Sequence, residues 1–139
     1  MTTTTTQAAD TDEADLPTLG ELLLASAKNN RDRIATQALV DEETLLTRDS
    51  VRNALVAKQG GRMTCRWEGL SGRLYTLGLD DVERAFLGLV LSIVGIGHIT
   101  IAVVEDLDER RLVIVQRAIL GLAGNDRVAI GTRLTDSRG

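Results

Sequence analysis

The chain of 139 residues has few of the residue types that most directly suggest a function. One Phe, one Trp and one Tyr make up only 2% of the sequence, which leaves few rings for stacking on unpaired bases. The single cysteine, Cys65, excludes an intramolecular disulfide. With one histidine, His98, the chain has no Cys/His cluster that would hold zinc. Because aromatic rings are so few, we expect any nucleic-acid partner to be duplex rather than single-stranded.

The scarce reactive side chains also give little basis for catalysis. His98 lies inside an apolar stretch, where a histidine is more often a core or strand-edge residue than a general base. Cys65 alternates with apolar residues, which indicates a small buried side chain. Helix capping explains the acidic clusters at 80–83 and 105–109 without a metal. We therefore expect that the chain is not an enzyme and that it has no catalytic residue, no metal and no cofactor.

The N-terminal residues 1–16 combine a threonine run with an acidic stretch, which is typical of a disordered tail. They have no basic region followed by an apolar one, so we expect no secretory signal and a cytoplasmic protein. The net charge of −4 argues against a polyanionic partner. Charge is uneven, however, since residues 28–76 hold nine basic and six acidic side chains. This asymmetry is a hint that the segment faces a polyanion.

Capping patterns predict most of the helices. The capping boxes pair Thr18 with Glu21, Asp80 with Glu83 and Asp106 with Glu109, and they predict helices over 19–29, 81–94 and 107–123. Two more helices are predicted, one within 32–46 and one over 48–58. Thr47 or Asp49 caps the last of these, and Gly60-Gly61 stops it.

After these glycines the hydrophobic pattern changes to strict alternation. Alternation predicts a β-hairpin of strands 62–67 and 73–77 around a turn at 68–72, and single strands over 98–104 and 127–134. The predicted fold class is therefore α+β, with an N-terminal helical unit ending in a hairpin, followed by a small α/β element.

The stretch Ala85–Val104 is 20 residues without a formal charge, long enough to span a membrane. An acidic cap at Asp80, glycines at 95 and 97 and acidic residues after it favour a buried helix followed by a strand instead. Both faces of the predicted helix 81–94 are apolar. Either two layers of the same chain or a partner subunit covers them, and we expect a homodimer through this helix.

The most informative string is Thr47-Arg48-Asp49-Ser50-Val51-Arg52-Asn53-Ala54-Leu55. Helical spacing places Val51, Ala54 and Leu55 on one face, with Arg48 and Arg52 on another. The string resembles the Ser-Arg-x-Thr-Val-Arg-x-Ala-Leu recognition helix of GntR-type winged-helix repressors. A plain alternative is an amphipathic surface helix whose arginines only keep it soluble.

The resemblance implies a winged helix-turn-helix over 17–78, followed by a dimerisation or ligand-binding element over 79–139. It further implies that Thr47, Arg48, Ser50 and Arg52 contact DNA, since Arg reads guanine in the major groove. Three hairpin arginines would lie along the phosphate backbone: Arg62, Arg66 and Arg73. The function expected is a small DNA-binding transcriptional regulator. The alternative is a non-enzymatic interaction or assembly module, with or without membrane association through 85–104.

Overall fold

The structure is a computed structural model and describes residues 16–131 and residue 133. Almost all of the predicted tail over 1–16 lies outside the described residues. The helices are α1 Leu19–Ala25, α2 Asn30–Glu42, α3 Asp49–Leu55, α4 Asp81–Val94 and α5 Glu109–Ala123. The strands are β1 Val56–Gln59 and β2 Arg62–Cys65. Helices plus a two-stranded antiparallel sheet make this an α+β fold, as predicted.

The helix starts follow the capping residues, with two exceptions. The boxes at Thr18 and Asp80 are both formed, with each side chain accepting from the third helical N–H. The third predicted box is wrong, because Asp108 rather than Asp106 caps α5 and accepts from Arg111 N. α3 begins at Asp49 without a side-chain cap, although Thr47 or Asp49 was expected to provide one.

The hairpin lies earlier in the chain than predicted. β1 and β2 pair in the register Val56↔Cys65 to Gln59↔Arg62, so the helix predicted over 48–58 ends at Leu55. Gly60 and Gly61 make the turn with φ of +56° and +78°. Two positive φ values match the right-handed strand twist and favour a two-residue hairpin, which is why this pair joins strands instead of only stopping a helix.

Three predicted strands are wrong. The return strand over 73–77 is a 3₁₀ turn at Leu74–Thr76, and 98–104 leads into a 3₁₀ helix at Ile101–Asp106. Residues 127–131 and 133, the described part of the strand predicted over 127–134, are irregular. The apolar residues after α4 cover that helix instead. A Cβ at Gly88 would lie 2.4 Å from the Ile99 Cδ1 atom, so the glycine admits this close contact.

α4 is the central helix of one shared core. The seven consecutive residues 85–91, nearly two full turns, are all buried. α2 and α5 pack against it, as do the two 3₁₀ segments. Residues of both 17–78 and 79–139 belong to a single hydrophobic cluster. The same chain therefore covers the apolar helix on all sides, which removes the reason for expecting a second subunit there.

The apolar stretch Ala85–Val104 is divided between α4 and the 3₁₀ segment that follows it. Gly95 ends α4 in the left-handed conformation with φ of +98°. Within the described ranges, no helix combines the length and the apolar character needed to cross a membrane.

Candidate nucleic-acid interface

Arg48 directly precedes α3 and reaches across to α4. Its Nη2 atom donates to both carboxylate oxygens of Glu83 at 2.7 Å, and Nη1 donates to the Gly78 carbonyl at 3.1 Å. The Glu83 side chain is only 6% exposed, whereas that of Arg48 is 39% exposed. Hydrogen bonds between a guanidinium and a carboxylate are short and strong because both groups are charged. The predicted base contact of Arg48 would require this pair to open.

The other predicted contacts near α3 are also bonded within the chain. Ser50 Oγ donates to the Leu77 carbonyl at 2.7 Å, and Thr47 Oγ1 donates to that of Thr44 at 2.6 Å. Arg52 donates to the Leu46 carbonyl and forms an ion pair with Asp49. Val51, Ala54 and Leu55 are buried, as predicted. The predicted DNA-facing side of α3 is therefore largely occupied by contacts that hold α3 in place.

The hairpin arginines are arranged differently. Arg62 is exposed at the start of β2, opposite Gln59, and Arg66 is exposed directly after β2. Arg73 is exposed and donates weakly to the Gly69 carbonyl at 3.4 Å. None of these three arginines, nor Lys58 of β1, forms a salt bridge with another residue of 16–131. Their charges face solvent.

Charge is strongly segregated along the chain. Residues 50–79 hold five basic side chains and one acidic side chain, for a net charge of +4. Residues 80–109 hold one basic and seven acidic side chains, for a net charge of −6. A surface with an excess of one sign attracts partners of the other sign. Residues 50–79, which include the hairpin, therefore carry an excess of positive charge that suits a polyanion.

The acidic run Asp41-Glu42-Glu43 does not form a simple exposed patch. Glu42 is fully buried and accepts from Arg111 at 2.8 and 3.1 Å and from Leu45 N at 2.7 Å. Burial works to lower the pKa of Arg111, but hydrogen bonds and charge from Glu42 and Asp108 together outweigh it, so the pKa is raised. Asp41 and Glu43 are exposed. One of the three acids is thus paired with an arginine inside the fold.

Glu43 is the turn residue after α2 and has an unusual backbone. Its φ of +75° and ψ of −38° accompany a hydrogen bond from Thr44 N to the Glu42 carbonyl at 2.9 Å. An i to i+2 bond around a positive φ defines a classic γ-turn, which is rare and strained. Arg111 Nη2 donates to Glu42 at 2.8 Å and to Thr44 Oγ1 at 3.4 Å, so one guanidinium joins the two ends of this turn.

A cleft of about 520 Å³ opens between the start of α2, the end of β2 and the end of α4. Its basic lining residues are Lys28, Arg31 and Arg66. Only Arg66 was predicted as a site residue. The charge count that begins at Lys28 was the available signal for the other two, but sequence spacing does not show that residues 28–31 meet the end of the hairpin.

The floor of this cleft is a buried polar network. Asp32 Oδ1 accepts from Trp67 Nε1 at 2.8 Å, and Oδ2 accepts from Lys28 N at 2.9 Å. Cys65 lies beside it with its Sγ 3.7 Å from Thr36 Oγ1. Burial raises the pKa of the Cys65 thiol to about 12. The prediction that Cys65 is buried is confirmed, and the thiol is held neutral rather than as a nucleophilic thiolate.

The remaining reactive groups do not converge. His98 is exposed, so the expectation of a core or strand-edge histidine is wrong. Tyr75 is also exposed, and the Arg84 guanidinium carbon lies 4.4 Å from the centroid of its ring. In the part of the chain that the structure describes, no three His, Cys, Asp or Glu side chains are grouped as metal ligands would be.

Comparison with known proteins gives no relative: no family model, no curated protein and no solved structure matches this chain.

Proposed function

We propose that the chain is a small DNA-binding regulator that contacts duplex DNA chiefly through its hairpin. The observation that carries this proposal is the set of exposed hairpin cations, Lys58 and Arg62, without an acidic partner among residues 16–131. Cations of this kind release counterions when they meet phosphates, and that release supplies most of the sequence-independent affinity for DNA.

The order of elements supports the same proposal. α2 and α3 are joined by a short connection, and a hairpin follows α3 directly, which is the order of a winged helix-turn-helix. In this arrangement the hairpin is the wing, and its cations lie along the backbone beside the groove. Arg48 and Ser50 then position α3, while Thr47, Asp49 and Asn53 are the exposed residues of the segment 47–55.

The test is a fluorescence-anisotropy titration with random-sequence duplex DNA at low and physiological salt. We expect binding that weakens steeply with salt, and the double variant Lys58→Ala/Arg62→Ala should lower the log–log salt slope by about two. The matched control is Arg117→Ala, which removes an exposed arginine of α5 that has no ion pair within 16–131. No binding at low salt would reject the proposal.

A second candidate is a non-enzymatic interaction module, and it rests on exposed apolar residues of α5. Ile119 is 46% exposed and Leu122 is 40% exposed, in a helix whose other side packs on α2. Sedimentation at micromolar concentration tests this candidate for self-association. A dimer that Leu122→Glu disrupts would support it, and a homodimer through α4 would require that buried helix to be uncovered.

A further inference from the structure

The basic cleft at the start of α2 has the features of a small-molecule site rather than of a flat surface. Its volume of about 520 Å³ lies in the range of pockets that bind metabolites and cofactors. The lining comes from separated parts of the chain, since Arg31 belongs to α2, Arg66 follows β2 and Ile96 follows α4. A site assembled from three elements has a fixed shape only in the folded protein.

The charges in the cleft are unequal. Lys28, Arg31 and Arg66 are exposed cations that form no salt bridge with other residues of 16–131. Of the two lining carboxylates, that of Asp32 is buried and already accepts from Trp67 and from a backbone N–H. Glu68 is the other, and it is exposed. The available positive charge therefore exceeds the available negative charge.

Arg31 is held at the cleft by the end of α4. Its Nη1 atom lies 3.1 Å from where a Cβ of Gly95 would be, so the guanidinium sits against the C-terminal end of α4. A cation is stabilised there by the partial negative charge of the helix end. The start of α2 does not supply the site by itself, because Asn29 already accepts from Asp32 N at 2.9 Å. The side-chain cations carry the argument.

Part of the cleft wall is apolar. Trp67, Val94 and Ile96 supply it, and Trp67 is only 4% exposed, with its indole N–H bonded to Asp32. An anion with an organic body would place its charge among the cations and its body against this wall. Two guanidinium groups and one ammonium suit a dianion better than a single carboxylate, and arginine binds phosphate oxygens bidentately.

We infer that this cleft binds a small phosphate monoester, with Lys28, Arg31 and Arg66 holding the phosphate and Trp67 bordering the organic part. The inference is independent of DNA binding, since Lys58 and Arg62 do not line the cleft.

Trp67 is the only tryptophan in the chain, so its fluorescence reports on this cleft alone. The experiment titrates the full chain with AMP, with adenosine, which lacks the phosphate, and with inorganic phosphate, which lacks the organic part. We expect AMP to change the Trp67 emission saturably, inorganic phosphate to compete with it, and adenosine to have no effect. Calorimetric titration with AMP provides a readout that does not depend on the tryptophan.

The variants Arg31→Gln and Arg66→Gln should each weaken AMP binding about tenfold, since each removes a charge-assisted hydrogen-bond donor. The matched control is Arg73→Gln, an exposed arginine outside the cleft, which should bind AMP like the parent chain. Thermal melting of each variant checks that it folds. The Lys58→Ala/Arg62→Ala variant should keep AMP binding, which separates this site from the DNA surface.

Three results would overturn the inference. They are the absence of saturable AMP binding in both fluorescence and calorimetry, equal binding of adenosine and AMP, and an Arg73→Gln effect as large as that of Arg31→Gln. The last result would mean that AMP responds to overall charge and not to the cleft.

Discussion

Arg48 and Arg62 lie 14 positions apart in sequence, and both are predicted DNA contacts, yet the structure uses them in opposite ways. Arg48 is bound to a nearly buried carboxylate, that of Glu83, by two hydrogen bonds of 2.7 Å. Arg62 is exposed on the hairpin and has no acidic partner within 16–131. An arginine in a recognition pattern is available to a ligand only if the rest of the fold has not already paired it.

The pairing of Arg48 also has a structural purpose. Glu83 completes the capping box of α4, where Oε1 accepts from Asp80 N at 3.0 Å. One carboxylate thus joins the start of α3 to the start of the central helix. Removing its cation would leave a buried charge with fewer donors, and an uncompensated buried charge is strongly destabilising.

The largest effect on stability is expected at the most buried of these pairs. Glu42→Ala removes the buried one of the two acidic partners of Arg111, whose side chain is 12% exposed, and also frees Leu45 N. We expect a loss of about 3–5 kcal/mol in the free energy of unfolding, measured by urea denaturation. Glu43→Ala, at an exposed neighbour, is the control for local composition. A loss below about 1 kcal/mol would mean that Glu42 is not buried in solution.

The second prediction compares Arg48 and Arg62 directly. Arg48→Ala should lower the free energy of unfolding by about 1–2 kcal/mol, discounted because the arginine is partly exposed. Arg62→Ala should change it by less than about 0.5 kcal/mol, as is usual for surface residues. Both are measured by the same urea titration. Equal losses for the two variants would contradict the division into paired and free arginines.

The division into paired and free arginines could not be predicted from the sequence. The capped starts of α1 and α4 and the inward face of α3 follow from local patterns, and the structure bears them out. The partner of Arg48 is 35 residues away in sequence, and no local pattern indicates it. The cleft was missed for the same reason, because the approach of residues 28–31 to Arg66 depends on tertiary packing.

The misplaced hairpin has a local physical cause. The alternation at 62–67 predicts a strand, and residues 62–65 form one, but Gly60-Gly61 does more than stop a helix. The glycine pair adopts positive φ and turns the chain back on itself, so the partner strand precedes it. In 98–104 the alternation was misleading, because apolar residues can cover a buried helix from an irregular segment as well as from a strand.

A smaller, pH-dependent effect is expected at Cys65. Burial raises the pKa of its thiol to about 12 from an ordinary value of 9.0, so at alkaline pH the folded state binds a proton that the unfolded state has lost. The contribution of the neutral thiol to the free energy of unfolding is fully present below about pH 9, and it should decrease as the pH rises towards about 12. Urea denaturation across this range should show a smaller decrease for Cys65→Ala. Identical pH profiles for the two proteins would contradict a buried neutral thiol.

The central claim is that the free hairpin arginine, and not the paired arginine of α3, meets DNA. It is tested most directly by measuring the salt dependence of duplex binding for the variants Arg62→Ala and Arg52→Ala. Of these two arginines, Arg52 has an acidic partner, Asp49, and Arg62 has none within 16–131. The account predicts that Arg62→Ala weakens binding and lowers the log–log salt slope by about one, while Arg52→Ala leaves the slope unchanged. A lower slope for Arg52→Ala with an unchanged slope for Arg62→Ala would contradict it.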